Sequence, residues 1–125
     1  MEKDEIQATL QKTFQLFRDY CAEIAGDEAT TDWIKESHSV IREYFKNLDK
    51  FFLDEQAELQ KLPEKISDKE VLAFSVWMQQ LMNQLKAAYI GIGKINVESI
   101  TRPVQPALQE LGFYSFYEQA QELIY

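Results

Sequence analysis

The chain is poor in the residue types that most protein chemistry relies on. It has one cysteine, Cys21, so no internal disulfide can form. It has one histidine, His38, whereas a zinc site usually takes three or four nitrogen or sulfur ligands. There is no Cys-x-x-Cys-His sequence to attach a haem, and neither a metal nor a cofactor is expected. Four glycines and three prolines are few breakers for 125 residues, which favours long helices over a many-turned β-sandwich. No apolar run approaches the roughly 18–20 residues that span a bilayer. The opening Met1-Glu2-Lys3-Asp4-Glu5 is charged and lacks the apolar centre of a secretory leader, so a cytoplasmic location is expected.

Basic segments are also missing. Thirteen Lys and Arg face 21 Asp and Glu, for a net charge of −8. Residues 27–62 alone hold five basic and nine acidic side chains. Nucleic acids and anionic membranes are recognised through clustered cations, so neither is expected as a partner. An acidic surface attracts a basic partner protein and keeps the chain in solution.

Apolar material is plentiful. The chain is 46% hydrophobic and 13% aromatic, enough for a packed core in one domain covering residues 1–125. Residues 4–25 read as a first helix: Ile6, Leu10, Phe14, Phe17, Cys21 and Ile24 return at spacings of three and four. Asp4 with Gln7 resembles a capping box, and Gly26 suits a left-handed helix end. Cys21 lies on the apolar stripe, which makes it a small core residue. Residues 27–31 read as a polar connection, with Thr31 or Asp32 capping a long second helix that ends near Leu62, before Pro63. Such a helix would be about 45 Å long at about 1.5 Å per residue, so a break near Asp54-Glu55 is allowed for.

The third helix has the clearest start. Ser67 and Glu70 form a Ser-x-x-Glu capping box, and Ile66 and Val71 occupy the hydrophobic-staple positions. Val71, Phe74, Met78, Leu81 and Leu85 follow in three-four rhythm. Its polar positions are mostly amides and hydroxyls (Ser75, Gln79, Gln80, Asn83, Gln84), which predicts a central helix covered on more than one side. Gly91 and Gly93 end it. Residues 92–102 fit a loop or a short extended segment equally well. Pro103 and Pro106 then suit the first turn of a short helix closed by Gly112, and Ser115 with Glu118 marks a last one carrying Phe116, Ala120, Leu123 and Ile124. The expected fold class is all-α: an antiparallel bundle of three long helices plus one or two short C-terminal helices.

No constellation for catalysis emerges, and no enzyme is expected. Glu55 and Glu58 form a Glu-x-x-Glu step like those that hold magnesium in helical nucleotide hydrolases, but no matching acids follow Glu70 on the third helix. Gly91-Ile92-Gly93-Lys94 departs from the phosphate-binding loop in its glycine spacing and in Ile95, where Ser or Thr is required. His38 lies on the apolar side of the second helix and suits a structural hydrogen bond to a neighbouring helix.

The C-terminal aromatics are the most suggestive feature. Phe113, Tyr114, Phe116, Tyr117 and Tyr125 crowd the last 13 residues, and tyrosines are favoured interface anchors. The expectation is a non-enzymatic protein–protein interaction module. It would bind through Tyr114, Tyr117 and Tyr125 and through the acids Glu36, Glu43, Asp54, Glu55 and Glu58, with self-association as a special case. The alternative is a small-molecule sensor that encloses an apolar ligand in the core, with His38, Trp77 and Met78 lining it. In general architecture and charge the chain resembles small acidic helical bundles such as bacterial immunity proteins, antitoxins and secretion chaperones, and no motif selects among them.

Overall fold

The computed structural model describes residues 1–122. Three long helices, α1 (Lys3–Ala25), α2 (Asp27–Ile41) and α3 (Asp68–Ala88), pack together. Short helices α4 (Val97–Ile100), α5 (Gln105–Leu111) and α6 (Phe113–Ala120) close the bundle. Between α2 and α3 lie a 3-10 turn (Lys46–Lys50) and a two-stranded antiparallel hairpin, β1 (Phe52–Leu53) and β2 (Leu59–Lys61).

The apolar rhythm of α1 buries Leu10, Phe14, Phe17 and Cys21. Asp4 and Gln7 do not cap this helix. Asp4 stands in the first turn, where its charge favours the helix dipole, and the Gln7 amide donates to the Pro63 carbonyl at 2.9 Å. The corner into α2 is a single residue. Gly26 has φ 89° and ψ 164°, a region that side chains other than glycine's rarely enter. Its carbonyl accepts from the Thr30 N–H (3.2 Å) and hydroxyl (2.7 Å). The expected polar connection over 27–31 is therefore the first turn of α2, and neither Thr31 nor Asp32 is its cap.

The second helix is also much shorter than its aromatic spacing predicted: it ends at Ile41, not near Leu62. Asp54 explains the hairpin. Its Oδ1 accepts the N–H groups of Gln56 and Glu58, each at 2.9 Å, and its Oδ2 accepts the Gln60 amide at 3.0 Å. An aspartate that satisfies its neighbours' backbone in this way competes with helix. Ala57 completes the turn at φ 59° with its methyl fully buried.

The hairpin is held by a rail of polar side chains on α1. Lys3 pairs with Glu64, Gln7 reaches the Pro63 carbonyl, and Gln11 reaches the Leu59 carbonyl (3.1 Å). Arg18 donates through Nε to Glu58 (3.0 Å) and through Nη2 to the Gln56 carbonyl (3.1 Å). Numbers rise along α1 and fall along the extended chain, so the two run antiparallel.

Helix α3 is central, as its low charge implied. Val71, Phe74, Trp77, Met78, Leu81 and Leu85 are fully or almost fully buried, and it packs against α1, α2 and α6. The Ser67–Glu70 capping box starts it. Glu70 Oε1 accepts the Ser67 N–H and hydroxyl, each at 2.7 Å, while Oε2 accepts Asn47 Nδ2 at 2.6 Å. Burial alone would raise this carboxyl. The hydrogen bonds from Ser67 and Asn47, with Lys50 nearby, outweigh it and hold Glu70 below the usual carboxylate range.

Helix α3 stops at Ala88, followed by a 3-10 turn over Ile90–Ile92. In the ambiguous stretch that follows, Asn96 caps α4 by accepting the Ser99 N–H at 3.0 Å. Gly112, at φ 80° and ψ 13°, joins α5 to α6. The buried face of α6 is Phe113, Tyr117 and Ala120, rather than the Phe116–Ala120 face that the capping-box placement implied. Leu123 and Ile124 lie outside the described residues.

Candidate functional site

The structure separates the acids that a single second helix would have brought together. Glu36 is exposed on α2, and Glu43 is exposed in the turn after it. Asp54, Glu55 and Glu58 belong to the hairpin turn, so Glu55 and Glu58 do not share a helical face. Two of these acids hold the fold itself: Asp54 closes the turn and Glu58 pairs with the nearly buried Arg18. Glu55 is exposed.

The tyrosines are likewise divided. Tyr117 is 6% exposed; its ring stacks on Phe17 (6.2 Å, 19°) and lies against Phe113. Its burial raises the phenol's pKa above the ordinary value. Tyr117, expected as a partner-binding residue, faces inward because it stands one turn after Phe113. Tyr114 is half-buried, with its hydroxyl 2.7 Å from the Thr101 hydroxyl, and it ties α6 to the end of α4. Tyr125 lies outside the described residues.

His38, Trp77 and Met78 do meet in space, but as packing. Trp77 and Met78 are fully buried. The Trp77 indole has Phe14, Phe51 and Phe74 around it and the His38 ring edge-on at 4.9 Å. Its N–H donates to the Ser37 hydroxyl at 3.1 Å, and that hydroxyl donates to the Ile34 carbonyl. His38 Nε2 sits 3.2 Å from the Leu48 carbonyl and 3.0 Å from the Phe51 carbonyl. Both are acceptors, so Nε2 carries the proton and donates to both. Burial depresses the imidazole's pKa more than these carbonyls raise it. His38 is a neutral clasp that fastens the 3-10 turn and β1 to α2, and its ring is in edge-on contact with Trp77.

Two surface features remain. The first is the outer side of α2. Glu28, Asp32, Glu36 and Val40 follow one another at four-residue intervals, and all are exposed. Like charges at this spacing oppose each other by a few tenths of a kcal/mol per pair. Among the described residues no ion pair relieves these three acids. Beyond Val40 stand Glu43, Tyr44 and, one residue after the carbonyl held by His38, Phe52. Tyr44 is 62% exposed and Phe52 52%, with Lys61 Nζ 5.9 Å from the Phe52 ring centre.

The second feature is a cleft of about 370 Å³ between α3, α6 and the Lys94–Ile95 segment. Helix α3 supplies Gln79, Met82, Asn83 and Lys86, a single face at three-four spacing. Sequence reasoning noted the amides of α3 and set Lys94 aside with the false phosphate loop. The signal it missed was that Gln79, Asn83 and Lys86 share a face.

Among the described residues no group of three His, Cys, Asp or Glu is placed to hold a metal ion, and no helix is long and apolar enough to cross a membrane. Compared with known proteins, the chain matches no family model, no curated protein and no solved structure.

Proposed function

We propose that this chain is a non-enzymatic binding module that recognises a basic surface on another protein through the outer face of α2. The observation that carries this reading is the line of exposed Glu28, Asp32, Glu36 and Val40 on α2, with Tyr44 and Phe52 exposed in the segment that follows the helix. The acids repel one another in the free chain and gain from a cationic partner. They would steer the encounter, and the apolar end would be buried once the partner is seated. Asp54 and Glu58 are occupied by the hairpin and take no part.

The test compares the wild-type chain with an Asp32→Asn/Glu36→Gln/Glu43→Gln variant, both immobilised and offered the same cell extract. A retained basic protein is then measured for its rates on each. The variant should keep its unfolding midpoint or gain a few tenths of a kcal/mol, since like-charge pairs are removed. Its association rate should fall about tenfold or more, with added salt weakening the wild type in the same way. Phe52→Ala should mainly speed dissociation. Equal retention on wild type and variant, or no retained basic protein, would sink the proposal. Sedimentation of the chain alone separates a second copy from a foreign partner.

A further inference from the structure

The cleft between α3 and α6 has a floor that its own fold leaves unfinished. Gln79 is 5% exposed, yet its Oε1 is buried without a hydrogen-bond partner. A buried polar atom in this state is costly, and a group that supplies the missing donor recovers that cost. Met82 and Tyr117, both almost fully buried, form the apolar part of the floor beside it.

The rim carries the opposite character. Lys86 stands two turns beyond Gln79 on the same face, and Lys94 comes from the segment on the other side. Both lysines are exposed, and among the described residues neither forms an ion pair. Among the described residues the lining of this cleft includes no acid, in a chain whose net charge is −8. The wider groove next to it shares Lys94, Ile95, Tyr117 and Gln121 and carries Glu98 and Glu118, so Lys94 stands between the two, whereas Lys86 lines the cleft above Gln79 and not the groove.

We propose that this cleft binds a small organic anion with a flat apolar body and a hydroxyl donor. The anionic group meets Lys86 and Lys94, the body lies on Met82, Ile95 and Tyr117, and the hydroxyl donates to Gln79 Oε1 once a rotation of that side chain brings the buried oxygen to the floor. The volume suits a small molecule rather than a peptide or a polymer. This site is separate from the outer face of α2 and does not rest on the partner proposed for it.

4-Hydroxybenzoate and 4-hydroxyphenylacetate are suitable probes, because each carries a carboxylate at one end of a ring and a hydroxyl at the other. Benzoate lacks the donor and 4-hydroxybenzyl alcohol lacks the charge. Titrating the full chain and following its side-chain amide NMR signals, the hydroxy acids should shift Gln79, Asn83 and Gln121 with dissociation constants of about 1 mM or below. Lys86→Gln/Lys94→Gln, two exposed positions that leave the core untouched, should weaken binding about tenfold. Gln79→Leu should bring 4-hydroxybenzoate down to the level of benzoate, and a thermal melt of that variant confirms that it is folded. The proposal is overturned if neither hydroxy acid moves these signals at about 10 mM. It is equally overturned if the neutral alcohol binds as well as the acids, or if the double lysine variant binds unchanged.

Discussion

His38 shows how a residue that invites a chemical role is claimed by structure. Its Nε2–H is shared between two carbonyls of the segment it clasps, and its ring closes the edge of the Trp77 cluster. Because its folded pKa lies below the ordinary 6.5, the unfolded chain takes up a proton first as pH falls. Stability is therefore fully present above about pH 6.5 and declines below it until the folded imidazole also titrates. Urea unfolding at about pH 7 and about pH 5 should show this loss, and His38→Gln should be less stable at the higher pH but flatter between the two. A slope unchanged by His38→Gln would mean that other groups cause it. The sequence placed His38 on the apolar side of α2 and favoured a structural hydrogen bond to another helix. The clasp is real, but its acceptors are carbonyls of a 3-10 turn and of the residue before β1, which no periodicity reveals. Tyr117 carries the complementary lesson: a tyrosine read as an anchor is core because its position relative to Phe113, not its type, decides where it faces.

Among the elements, α1 and α3 were legible because their apolar residues keep a strict rhythm and, for α3, because Ser67 and Glu70 announce the start. The region between them was misread for two physical reasons. Phe45, Leu48 and Phe52 mimic a helical stripe, and the turn that breaks it has Ala57 at positive φ where glycine would normally advertise a bend. The start of α2 was hidden differently, since a one-residue corner leaves no loop to find. That corner makes a sharp prediction. A methyl added at Gly26 would touch nothing within 4 Å, so Gly26→Ala tests backbone strain alone. It should cost about 1–3 kcal/mol, because φ 89° with ψ 164° is outside alanine's range. Gly91 also has open space but no positive φ, and Gly91→Ala should stay within about 0.5 kcal/mol. Chemical denaturation of the two variants side by side checks this, and equal costs would show that the corner relaxes freely.

For the molecule as a whole, the three-helix architecture and its core followed from composition and rhythm, whereas the surfaces did not. Exposure depends on how α6 and the hairpin cover α1 and α3, and that information is tertiary. The core converges on Trp77, which touches side chains from α1, α2, α3 and the residue before β1. Trp77→Ala should cost about 3–5 kcal/mol, a large part of the roughly 5–15 kcal/mol that holds a domain of this size together. Near-ultraviolet circular dichroism should lose its fine structure while the far-ultraviolet helical signal partly persists. An intact near-ultraviolet spectrum would mean that the cluster repacks without its central ring. The rail on α1 has a wider consequence. Two short strands alone are marginal, and a bare strand edge invites a stray chain to pair with it. Here Gln7 and Gln11 stand where a third strand would stand, and they answer the carbonyls of Pro63 and Leu59 at helical intervals. A slip by one residue would miss these partners, so the helix acts as a ruler that both sets the hairpin's alignment and shields it from its neighbours in a crowded solution.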